Sequence, residues 1–318
     1  MTAARSRSGY GLGLLSGALW GMDGVVLGVA LGMAPYSDGV SLYAAPLVAA
    51  ALHDGFAAGY VNLFNVLRRK GGLLLRTVRT RPGLTICVAG LLGGPLAMSG
   101  YVWGIAYAGA AYAMAITTTF PAVGALLARA FLKERVSVRG ALGIALSIAG
   151  AIVVSYTPPE DPPPHFRLGL ALSTLATIGW GAEIILVAAS MRRAREIDPA
   201  IANGIRQLTS AFAYVFVVLP VVGAWGIAQE AVRSQSAAVI AVAALSGTLS
   251  YLAYYTAAHR VGVSRATPLN VTYALWGVVF GVLFFGLDAT LGLVAGVALA
   301  VAGATLVVSA PRAVAGPP

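Results

Sequence analysis

Three carboxylates stand inside long apolar runs of this 318-residue chain: Asp23, Asp54 and Glu183. An acid held at the centre of a bilayer costs about 2.5–3.5 kcal/mol on insertion scales, so each is a candidate for holding a cation or a proton. Glu183 follows Trp180 by three positions, and Asp23 follows Trp20 by three. Residues three apart share one face of a helix, so each acid is presented beside an indole. The same pattern fits a carboxylate hydrogen-bonded across helices for packing alone. Asp54 adjoins His53, which could simply be its partner.

The aromatic residues narrow the chemistry. Tryptophan and tyrosine usually mark the membrane interface, and Trp103 and Trp225, near the ends of their runs, fit that belt. Trp20, Trp180 and Trp276 lie deeper, roughly 14–22 Å along a helix from where their runs begin. Asn270 and Tyr273 precede Trp276 at one-turn spacing, and Tyr251, Tyr254 and Tyr255 crowd a neighbouring run. Core packing accommodates such a set, and so does a binding cavity. Rings with one or two acids suit an organic cation. A quaternary ammonium has no hydrogen bond to donate, so ring faces hold it at about 0.5–2 kcal/mol each while a carboxylate balances its charge.

The elements that must carry these residues follow from composition. The chain is 58% hydrophobic and 10% charged, against about 25% charged in a soluble domain. Apolar segments cover 10–34, 42–66, 83–107, 109–131, 137–156, 168–190, 200–222, 236–258, 262–286 and 289–310. Each is near the ~20 residues that carry a helix across ~30 Å of hydrocarbon. They are too long, and not alternating, for the ~10-residue strands of a membrane barrel. The predicted fold is all-α: a polytopic membrane protein with ten transmembrane helices.

The net charge of +10 sits in clusters between the runs. It forms no basic face interleaved with aromatics, which excludes nucleic acid as a partner. One side of the bilayer takes Arg5, Arg7, Arg68, Arg69, Lys70, Arg76, Arg79, Arg81, Lys133, Arg135, Arg139, Arg192, Arg193, Arg195, Arg260, Arg265 and Arg312. The other takes Arg167 and Arg233, while Arg129 and Arg206 fall within segments. This bias predicts an inner (plasma) membrane protein with both termini cytoplasmic and Pro158–His165 outside.

The chain also repeats itself. LSGALWGMD, ending at Asp23, answers to STLATIGWGAE, ending at Glu183; the run from Gly140 answers to the run from Val294. Five segments are an odd number, so the second copy is inserted upside down. The expected organisation is two inverted five-helix repeats, 1–157 and 168–318, joined by an extracytoplasmic Pro-rich linker at 158–167. Such repeats place a solute site near the midplane.

Other chemistry is not indicated. Cys87 is a lone cysteine, and His53, His165 and His259 show no metal-ligand spacing. No Gly-rich phosphate loop follows a strand pattern, and no nucleophile–base set appears. No catalytic residue, metal or cofactor is expected, and an enzyme is disfavoured. Gly292 and Gly296 suit a homodimer seam and ordinary helix packing equally well.

The ten segments, the five-plus-five repeat and LKER ending at Arg135 resemble the EamA-type drug/metabolite transporter superfamily. LLSGALWG up to Gly21, AALHD at Asp54, GWGAE at Glu183, IRQLTS from Ile205, LSYLAYY at Tyr255 and ATPLNVTYALWG from Ala266 are similar to its LicB-type bacterial choline transporters. That resemblance implies uptake of choline or a related quaternary amine through an occluded aromatic cage. It points to Trp20, Trp180, Glu183, Tyr251, Tyr254, Asn270, Tyr273 and Trp276 as substrate-binding residues. Asp23, His53, Asp54 and Glu183 stand as charge or proton sites. His53, Asp54, Arg206 and Gln207 match the family's motifs without an assigned role. An acid at Asp23 is not a family requirement, and it fits a different amine, a second proton site, or neither. The alternative expectation is a proton-coupled exporter of cationic drugs or metabolites, which needs the same carboxylate.

Overall fold

The computed structural model describes residues 3–37, 43–117, 120, 123, 127, 136–155, 164–285 and 291–309. The helices are α1 (Ala3–Leu31), α2 (Ala44–Leu67), α3 (Gly71–Val78), α4 (Arg81–Leu91), α5 (Ser99–Ala108), α6 (Ala110–Thr117), α7 (Val138–Ser155), α8 (Phe166–Arg193), α9 (Pro199–Ala213), α10 (Trp225–Arg233), α11 (Gln235–Val261), α12 (Val263–Asn270), α13 (Tyr273–Phe285) and α14 (Leu291–Ser309). No strand occurs among the described residues. Helices satisfy their backbone groups internally, which hydrocarbon demands.

Among the described residues, 7 helical stretches are long and apolar enough to cross a bilayer. They match the first, second, third and sixth to ninth expected segments. Shorter apolar helices, Val138–Gly150 and Val294–Gly303, fall on the fifth and tenth. The fourth segment is helical as α6, and most of its remainder lies outside the described residues, as do the LKER motif and most of the 158–167 linker. The chain is a polytopic helical membrane protein.

Three interruptions shape the interior of the bundle. Between α4 and α5 the helix widens into a π turn, Leu92–Met98, around Pro95. Proline has no N–H to donate and crowds the carbonyl four residues back, so the ladder changes register there. A second π turn, Tyr214–Val218, extends α9. The third break separates α12, which contains Pro268, from α13. Helix α1 approaches this last break closely. A Cβ at Gly17 would meet Thr272, and one at Gly21 would lie 2.7 Å from the Tyr273 carbonyl.

Two junctions are single glycines with nearly the same backbone. Gly109 between α5 and α6 has φ 88° and ψ 154°, and Gly262 between α11 and α12 has φ 89° and ψ 152°. Positive φ of this kind is essentially glycine's alone.

Helix α1 lies along α11, and α7 along α14; α2 packs on α9 and α11, and α8 on α5. A polar clasp joins the end of α2 to the start of α9. Asn65 Nδ2 donates to the Ala200 carbonyl at 2.8 Å and Asn62 Nδ2 to that of Gly204 at 3.2 Å. Asp198 caps α9 by accepting from the amides of Ala200 and Ile201, each at 3.0 Å. It also pairs with Lys70 and, at 3.5 Å, with Arg68. Partial burial pushes its carboxyl up, but the Lys70 hydrogen bond, the Ile201 amide and the two cations outweigh that and hold it below the usual carboxylate range.

Candidate functional site

Seven of the eight predicted binding residues converge. Trp20 of α1, Trp180 and Glu183 of α8, Tyr251 and Tyr254 of α11, Asn270 of α12 and Tyr273 of α13 line one cavity, together with Phe120, Ile184 and Ser250. The empty space among them, open regions included, is about 390 Å³. The rings pack edge to face. Trp20 lies 5.5 Å from Trp180 at 89° and 5.4 Å from Tyr251 at 84°. Apolar burial fixes the rings and polar tips aim them. Trp180 Nε1 donates to the Gly93 carbonyl at 3.1 Å, in the π turn. Tyr254 and Thr267 hydroxyls meet at 2.7 Å, tying α11 to α12. Tyr273 donates to Thr117 at 2.8 Å, and Asn270 Nδ2 to Ser16 at 3.0 Å.

Trp276 does not line the cavity. Its Cβ faces α1 where Gly21 brings the two helices together, and its ring stacks on Phe280 along its own helix at 5.9 Å. Helical spacing put it on the face of Tyr273, but the close approach of α1 claims that position. Two aromatics that sequence reasoning passed over belong to the cluster. Phe120 sits on the wall 6.4 Å from Tyr254, and Tyr101 stacks 6.0 Å from Trp20 and meets Trp180 edge-on at 5.1 Å. Tyr101 lies at interior depth in the third apolar segment, the only signal that marked it.

The acids do not stand alone. Glu183 accepts from Tyr255, from Tyr251 at 3.4 Å, and from Arg206 Nε and Nη2 at 3.3 and 3.4 Å. Arg206 is 1% exposed. Its guanidinium also lies 4.5 Å over the Tyr251 ring and 3.6 Å from Asp54 Oδ2, and its Nη1 donates to Gln207 at 2.7 Å. Asp54 in turn accepts from Ser210 and contacts His53 Nδ1 at 3.1 Å. His53 Nε2 meets Asp23 Oδ1 at 2.9 Å. One unbroken chain, Asp23–His53–Asp54–Arg206–Glu183, thus runs through four helices: α1, α2, α9 and α8.

Both ring nitrogens of His53 face carboxylate oxygens. Both can be hydrogen bonds only when the imidazole carries two protons or a carboxyl supplies one. The expected His53–Asp54 partnership is therefore present, and Asp23 is drawn into it. Glycines make the space: a Cβ at Gly93 would strike the Glu183 carboxylate, and one at Gly94 would strike Ser210 beside Asp54. Among the described residues no group of His, Cys, Asp and Glu could hold a metal ion.

Comparison with known proteins places this arrangement in context. The sequence pattern of the EamA-like transporter family matches residues 7–156 and 167–309. Protein LicB of Haemophilus influenzae is 26% identical over 280 residues, 87% of this chain and 89% of LicB. A solved crystal structure with 18% identity covers 94% of this chain and 98% of its own at a TM-score of 0.67, a shared fold.

Proposed function

The chain belongs to the EamA-like transporter family, and from that premise we propose that it moves choline or a related quaternary ammonium across the inner membrane by alternating access, in the direction of uptake. The carrying observation is the cavity itself: five tryptophan and tyrosine side chains close around a space that Glu183 also reaches. Ring faces are the one common way to hold a cation without donor hydrogens. Similarity to LicB supports the same substrate class.

The ten-helix organisation, in two inverted repeats with both termini cytoplasmic, belongs to this reading. Its supports are the two stretches matched by the family pattern and the like glycine junctions at Gly109 and Gly262. The acids of the two stretches are also held alike. Asp23 meets His53 from the next span, and Glu183 meets Arg206 from the next span.

Binding of radiolabelled choline to the purified protein, challenged with tetramethylammonium, betaine and primary amines, tests the class. Saturable binding displaced by tetramethylammonium supports it. No displaceable binding, or preference for primary amines, removes it. The Asp23–His53–Asp54 contacts form a place for a proton inside the protein, which suits proton-coupled uptake and equally a second reading, a proton-coupled exporter. Uptake into proteoliposomes under opposed proton gradients separates the two.

A further inference from the structure

A cation already stands behind the cavity wall. Arg206 is buried, lies 4.5 Å over the face of Tyr251 and pairs with Glu183, the same ring and acid that the proposed substrate would use. We infer that Arg206 is a tethered competitor for the substrate, which gives up Glu183 to an incoming organic cation by moving onto Asp54.

Three observations carry this. The Arg206–Glu183 contacts, 3.3 and 3.4 Å, are about half an ångström longer than a committed charge-assisted bond of about 2.7–2.9 Å. On the other side Nη1 stands 3.6 Å from Asp54 Oδ2, so a shift of less than about 1 Å completes that bond instead. The guanidinium rests on Glu183 through two long bonds and on the Tyr251 hydroxyl at 3.1 Å, with Asp54 one short shift away. Finally, Gln207 accepts from Nη1 while its own Nε2 has no partner among the described residues. A buried donor left over in this arrangement is available to another.

Charge conservation explains why a competitor would be useful. With the cavity empty, Arg206 keeps Glu183 from standing as a bare carboxylate in a dry site, a state that costs several kcal/mol. With the cavity filled, the substrate supplies that charge and Arg206 offsets Asp54, which does not line the cavity. The exchange keeps Glu183 paired throughout and breaks no covalent bond.

This inference rests on the proposed substrate class, and a double-mutant cycle tests it separately. Choline affinity is measured by calorimetry on the purified native protein, Asp54→Asn, Arg206→Gln and the double variant, each first checked for a monodisperse elution peak. Asp54→Asn removes the second berth, so it should weaken choline binding about tenfold. In the Arg206→Gln background the same change should have no effect. No penalty from Asp54→Asn alone, or equal penalties in both backgrounds, overturns the inference while leaving the substrate class standing. Absence of choline binding to the native protein removes both. Where Arg206→Gln does not fold, Arg206→Lys keeps the charge but loses the planar fork. The Asp54→Asn penalty should then shrink measurably, and an undiminished penalty counts against the inference.

Discussion

Trp180 and Trp276 look equivalent in the sequence, each an indole at depth within its run, yet they stand in different surroundings. Trp180 is in the cavity wall, and Trp276 is stacked on Phe280. Trp180→Leu and Tyr251→Phe remove the indole face and the hydroxyl in turn. Trp180→Leu should weaken choline binding about 2- to 30-fold, the equivalent of about 0.5–2 kcal/mol, while Tyr251→Phe, which keeps its ring face, should cost less. Trp276→Leu should leave affinity within about twofold, because that ring lies off the cavity wall. Isothermal titration of the three variants separates the pair, and equal losses from Trp180→Leu and Trp276→Leu would place Trp276 in the cage after all. Most of the wall was legible because depth and one-turn spacing are local properties of a helix. The Glu183–Arg206 pair was not. Its partners are 23 positions apart on different helices, and no periodicity within either helix reports which charges will meet. Arg206 did announce itself as a cation inside an apolar run, which is the signal that could have found it.

Helices were the most readable layer, since each expected apolar run is mostly helix at its described residues. Their interruptions were less so. Gly94-Pro95 marks a kink in any helix, but that Gly93 and Gly94 clear space for Glu183 and Asp54 depends on neighbours the local sequence does not name. Gly93→Ala should therefore abolish choline binding and lower the melting temperature. Gly59→Ala, on α2 with nothing within 4 Å of the new Cβ, should stabilise by about 0.5–1 kcal/mol from helix propensity alone. Fluorescence-detected thermal unfolding of both variants compares them directly. The α2–α9 clasp gives a second expectation. Asp198→Ala removes an N-cap worth about 1 kcal/mol and a partly exposed ion pair worth less. The Asp198 carboxyl is held below its usual range, so its stabilisation is present above the unfolded value near 4 and fades as pH falls through the lower folded value. The melting difference between native protein and Asp198→Ala should be constant from pH 6 to 8 and shrink below about pH 4, in unfolding scans carried down into acid.

Across the bilayer, the orientation rests on where lysine and arginine accumulate. In a Cys87→Ala background, cysteine at His165 should react with an impermeant maleimide on intact cells, and cysteine at Ser8 should react only after permeabilisation. Equal labelling of the two would overturn the proposed topology. A sequence can report orientation because lysine and arginine in short loops near the span ends are retained on the cytoplasmic side during insertion. How the spans then pack around one cavity is set by shape and by buried polar pairing, which a single sequence displays only as isolated glycines and charges.

The buried chain from Asp23 to Glu183 has an electrical consequence. With His53 carrying two protons, three carboxylates face one guanidinium and one imidazolium. One negative charge is left over, and a single bound ammonium cancels it. The loaded protein would then reorient without feeling the membrane voltage, whereas the empty one would not. A full elementary charge crossing 100 mV is worth about 2.3 kcal/mol, roughly a 50-fold bias. An interior-negative potential would drive the empty site to face outward, ready for its next substrate. Each cycle would carry one positive charge inward, so a valinomycin-imposed potential should accelerate choline entry into proteoliposomes even with no proton gradient present.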